Sequence, residues 1–75
     1  MLSYTAVFEP APEGGYVVHV PALPGLVTEG DTLEEARKMA VDAIEGYLSV
    51  LKADGEEIPV EPDETVVSKV KATAP

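Results

Sequence analysis

His19 is the only histidine in this 75-residue chain, and no cysteine accompanies it. Imidazole is the one side chain whose ordinary titration lies near neutrality, so His19 is the first candidate for proton transfer. That role requires a nucleophile to activate or a group to orient the ring, and the pattern around His19 supplies neither. The residue therefore reads as a partly exposed or interface histidine. A second chemistry would use the carboxylates Glu9, Asp31, Glu34, Glu35 and Asp42 to hold two divalent ions about 3.5 to 4 Å apart. None of them falls at a strand centre facing a helix. Asp31, Glu34 and Glu35 are accounted for by a helix start, where the dipole favours negative charge. Gly14-Gly15 sits between two strands and opens no helix, so it is not a phosphate-binding loop. The expectation is a protein with no catalytic residue, no metal site and no cofactor.

The elements that position these residues follow from periodicity. Ser3 to Glu9 alternates with period two, with Tyr4, Ala6 and Phe8 on one face and Thr5 and Val7 on the other, as in a half-buried strand. The run Pro10 to Gly15 is rich in turn residues, and Tyr16 to Val20 resumes a β-branched, aromatic stretch, which predicts a hairpin with a longer loop. Pro21, Pro24 and Gly25 mark a turn before a short third strand over Leu26 to Glu29. Thr32 and Glu35 form a capping box. From Leu33, the apolar residues Ala36, Ala40, Ala43, Ile44, Tyr47, Leu48 and Leu51 recur at spacings of three and four, which predicts a helix to about Ala53, roughly 30 Å long. Asp54-Gly55 supplies its stop. Pro59 and Pro62 make the following segment extended and irregular, and Thr65 to Lys71 alternates again as a fourth strand.

The expected fold is therefore α+β: two layers in the order β-β-β-α-β, one helix on a mainly antiparallel sheet. A sheet with one helix layer leaves its other face open. The side chains expected there, Thr5, Val7, Val17, His19 and Val67, are too apolar for a surface meant only for water, so this face is the candidate partner or oligomer interface.

Composition narrows the partners. Seventy-five residues make one domain spanning 1–75, with no separate DNA-binding domain expected. So small a chain buries only about 60 to 65% of the surface its unfolded form exposes, and without cysteines self-association is the common remaining source of stability. A homo-oligomer is expected, a dimer or higher. Met1-Leu2-Ser3-Tyr4 lacks the basic flank and apolar core of a signal peptide, so the expected location is cytoplasmic, away from the membrane. Fourteen acidic against five basic residues give a net charge of −9, which repels nucleic acid and anionic lipid and favours a basic partner.

Two stretches resemble a known family. "GGYVVHVPALPGLVTEGDTLEEA", Gly14 to Ala36, and "AIEGYLSVLKADGEEIP", Ala43 to Pro59, resemble the HicB-like antitoxins, and the likeness covers about Tyr4 to Pro59. The resemblance implies a partial RNase H-like fold that neutralises HicA, a small basic mRNA-cleaving toxin, by binding over its RNA-facing surface. It implies no catalysis. HicB-like proteins often carry a C-terminal ribbon-helix-helix or helix-turn-helix segment, whereas this sequence has only one expected strand after the helix, so direct DNA binding is not expected. The family often has Cys after Pro-Gly and Asn in mid-helix, where this chain has Leu26 and Met39, and no role tied to those side chains carries over. Two other functions compete: an orphan self-associating regulatory domain, and a remnant metal-dependent nuclease.

Overall fold

The structure, a computed structural model, describes residues 2–75; Met1, part of the N-terminal stretch considered above, lies outside the described residues. Three strands, β1 (Val7–Pro10), β2 (Tyr16–His19) and β3 (Val27–Gly30), precede one helix, α1 (Leu33–Ala53). The strands form an antiparallel sheet in the order β1-β2-β3. The helix lies on one face of that sheet, so the α+β reading with one helix on an antiparallel sheet is what the chain adopts.

Local chemistry fixes both ends of α1. The Thr32 hydroxyl accepts a hydrogen bond from the Glu35 N–H at 3.0 Å, and Glu34 and Glu35 place negative charge in the first turn. At the other end the Gly55 N–H donates to the Lys52 carbonyl at 3.1 Å and the Glu56 N–H to the Leu51 carbonyl at 2.9 Å. This pair of bonds is a Schellman motif, and it requires the left-handed conformation that Gly55 takes at φ 72°. Thr32→Ala removes the N-terminal cap and is expected to cost about 1 kcal/mol. In a domain of this size that lowers the melting temperature by about 4 to 8 °C in a circular-dichroism melt. An unchanged melt would show that the cap carries no stability.

Alternation along β1 and β2 sends Phe8, Tyr16 and Val18 toward the helix. Val18 is fully buried and packs with Ala36 and Ala40, while Ala6, Phe8 and Tyr16 close the cluster. The small side chains at Ala36 and Ala40 let the helix approach the sheet closely. The approach is tightest at Gly30, the end of β3, where an added Cβ would lie 2.5 Å from the Ala36 nitrogen. The segment "EGDTLEEA" thus combines a bare strand end, a helix cap and a small helical residue that must meet it.

A second cluster joins Val20, Leu23 and Leu26 to Tyr4, Ala43, Ile44, Tyr47 and Leu48. Its centre is the turn between β2 and β3. The Leu23 N–H donates to the Val20 carbonyl at 2.9 Å and the Leu26 N–H to the Leu23 carbonyl at 3.2 Å, and these successive turns point Leu23 into the core, where it has no exposed surface. From the helix, the Tyr47 hydroxyl donates to the Pro24 carbonyl at 2.9 Å. The proline-flanked loop is therefore a plug pinned by the helix.

One expected element does not form. Residues 65–71 are not a strand of the sheet, and Val66, Val67 and Val70 are 81, 65 and 86% exposed. Alternation gives a segment the capacity to pair, but pairing also needs a free edge that the chain can reach. Here the returning chain touches the N-terminal segment only briefly. The Tyr4 hydroxyl donates to the Pro59 carbonyl, and the Thr5 backbone N–H donates to the Glu61 carboxylate at 2.7 Å, with the Thr5 hydroxyl donating to the same group. A turn then follows at Pro62, whose carbonyl accepts from the Thr65 N–H at 3.2 Å and the Thr65 hydroxyl at 3.0 Å. Strand β1 also begins at Val7 rather than Ser3.

Candidate partner-binding face

The face opposite the helix is set by register. Val7 pairs with His19, and His19 with Val27, giving one row across the three strands; Glu9 pairs with Val17, and Val17 with Glu29, giving the next. Because side chains alternate, all six project from the helix-free side. Val7, Val17 and His19 are half-buried, whereas Val27 is 66% exposed. The result is an apolar band with a histidine in one row and a carboxylate at each end of the next.

Of the five residues expected here, the structure brings Val7, Val17 and His19 together. Thr5 lies just before β1, half-buried and held by Glu61. Val67 is in the exposed C-terminal segment and belongs to no strand of this sheet. Val27 and Glu29 were missing from the expected set, although the Val-Thr-Glu alternation of the third strand carried the signal.

His19 does have a polar neighbour: its Nδ1 lies 3.3 Å from Glu9 Oε1. A carboxylate beside an imidazole can orient the ring, but a hydrolytic dyad also needs a nucleophile, and the face offers valines. The remaining carboxylates considered for metal chemistry are dispersed. Asp31, Glu34 and Glu35 surround the helix start, Glu34 lies 3.8 Å from Lys38 Nζ, and Asp42 is exposed on α1. Among the described residues, no group of three or more histidine or carboxylate side chains is placed to hold a metal ion. Also among them, no helix is long and apolar enough to cross a membrane.

Comparison with known proteins gives this face a context. The family described as HicB_like antitoxin of bacterial toxin-antitoxin system matches residues 4–73. Antitoxin HicB 1 of Photorhabdus laumondii is 42% identical over 59 residues, which span 79% of this chain and 38% of that protein. Antitoxin HicB of Escherichia coli is 37% identical over 59 residues, spanning 79% of this chain and 43% of that protein. A UPF0150 protein of Thermoplasma acidophilum is 43% identical over 58 residues, spanning 77% of this chain and 84% of its own length. The chain thus spans less than half of the relatives named antitoxins and most of the shorter one. A family match over nearly the whole chain, with the helix cap, the Leu23 plug and the Gly30 contact inside it, places the chain in the HicB-like antitoxin family, a family of antitoxins and not of enzymes.

Proposed function

We propose that the chain is an antitoxin-type binding protein that sequesters a small basic, mRNA-cleaving, HicA-like toxin against its helix-free sheet face. The observation that carries this reading is the apolar band of half-buried Val7, Val17 and His19 and exposed Val27, flanked by Glu9 and Glu29. Interface energy concentrates in a desolvated apolar centre, and flanking carboxylates select a partner with a basic rim. The net charge of −9 supports the same partner by steering a cation toward the surface. Steering weakens as salt shortens the Debye length, about 10 Å at 0.1 M.

The test is a binding measurement with the product of the neighbouring reading frame, by stopped-flow at increasing salt. The reading expects a complex whose association rate falls as salt rises while dissociation changes little. Failure to form a complex at low salt would remove it.

A second reading, self-association into a homo-oligomer, is favoured by a different observation. The C-terminal segment keeps three valines in solvent, and the radius of gyration of 14.3 Å exceeds the about 11 Å of a compact chain of this length. The two readings are compatible.

A further inference from the structure

We infer that residues 65–71 of one copy add to the sheet of a second copy as a parallel edge strand beside β3, which on reciprocal exchange closes a dimer. This rests on the self-association reading and is independent of any toxin.

Three features meet in this assignment. The first is the direction of the tail. Thr5 and Glu61 tie the returning chain to the segment before β1, and the doubly hydrogen-bonded turn at Pro62 then interrupts that run. Residues 65–71 leave it with alternation intact and no strand partner in their own sheet.

The second is the edge. Strand order β1-β2-β3 makes β3 a terminal strand, with one side of its backbone unpaired by any strand. An uncovered edge is a template for another strand, and addition of an extended segment satisfies its N–H and C=O groups.

The third is charge. All fourteen carboxylates lie within residues 1–64, while the last eleven residues carry Lys69 and Lys71 and no acid. Strand β3 and the residue that follows it read Val27-Thr28-Glu29-Gly30-Asp31, and the tail reads Val67-Ser68-Lys69-Val70-Lys71. Laid parallel, Val67 falls beside Val27, Lys69 beside Glu29 and Lys71 beside Asp31. Laid antiparallel about the same centre, Val67 would face Asp31 and Lys71 would face Val27; shifted by two residues, the antiparallel strand recovers both charge pairs but loses the Val67–Val27 pair, so the parallel register matches at all three positions. Opposite charges on neighbouring strands stabilise and like charges destabilise. In this register Val67 continues the row Val7, His19, Val27 onto a fourth strand and Lys69 continues the row Glu9, Val17, Glu29, so the open face becomes wider in the dimer.

The absence of cysteine makes the test direct. Full-length Val27→Cys and Val67→Cys chains are mixed and oxidised, and neighbouring positions on adjacent strands lie within disulfide range. The mixture is expected to give at least tenfold more covalent dimer than either chain alone. Sedimentation equilibrium on the unmodified chain runs in parallel. Lys69→Glu is expected to raise the dimer dissociation constant about five- to tenfold, and adding Glu29→Lys to restore it, because the charges are exchanged in place. A chain that stays monomeric at all concentrations overturns both self-association and strand addition. A dimer without the 27–67 cross-link leaves self-association standing and overturns strand addition. A single-chain disulfide in a Val7→Cys, Val67→Cys double variant, formed in preference to the intermolecular one, also overturns it by assigning the tail to its own β1.

Discussion

Gly30→Ala is expected to remove most of the stability of this domain. An ideal Cβ at position 30 would lie 2.5 Å from the Ala36 nitrogen, 2.7 Å from its Cα and 2.9 Å from the Glu35 carbonyl carbon. All three are backbone atoms of α1, so no side chain can rotate away. Relief requires the helix to move off the sheet, which would loosen Val18 from Ala36 and Ala40 together. Overpacking of this kind costs typically 1 to 3 kcal/mol, and a rigid backbone obstacle puts this case near about 3 kcal/mol. Small single cores rarely supply more than about 3 to 5 kcal/mol. The expected outcome is a melting temperature lowered by about 15 °C or more, read by far-ultraviolet circular dichroism. Gly46→Ala is the control. It lies within α1 with no atom near an added Cβ, and helix propensity predicts a gain of up to about 1 kcal/mol. If both variants melt with the parent, the close approach of strand end to helix is not what holds the layers together.

Val17→Asp is expected to weaken partner binding by about a hundredfold, while Glu56→Lys changes it by no more than about threefold. Val17 stands between Glu9 on β1 and Glu29 on β3. An aspartate there removes the apolar centre and sets three carboxylates in one cross-strand row, where like charges repel. In a complex the new charge would also be desolvated without a partner, a loss that appears in the dissociation rate. Glu56 is exposed beyond the helix end, away from the band, so reversing its charge acts mainly through long-range steering. Isothermal titration with the product of the neighbouring reading frame reads the affinities, and a melt of each free variant separates folding from binding. Equal losses in the two variants would move the interface off the sheet.

The helix was legible residue by residue because its signals are local: a threonine cap three residues before a glutamate, a three-four apolar stripe, and a glycine at the stop. The first three strands were legible in number and approximate place, since period-two alternation and turn residues also act over short spans. Their edges shifted by up to four residues, because where a strand begins depends on what lies beside it. Two features were not local. Leu23 reads as a residue between prolines, and only the meeting of that loop with Ile44, Tyr47 and Leu48 makes it a core residue. Residues 65–71 have the composition of a strand, but a sequence does not state which edge is free or where a proline turn sends the chain. On the candidate face, alternation placed Val7, Val17 and His19 correctly relative to one another. Val27 follows from the same alternation carried across to the expected third strand, whose side chains were not assigned to either face.

The most direct test of the proposed sequestration is an RNA-cleavage assay with the neighbouring gene's product and increasing amounts of this chain, with and without magnesium or manganese. The proposal expects cleavage to fall to background near one equivalent of chain per toxin, the chain alone to leave RNA intact with either metal, and Val17→Asp to restore cleavage. Undiminished cleavage at excess chain would contradict it, as would metal-dependent cleavage by the chain alone that is lost when its carboxylates are changed.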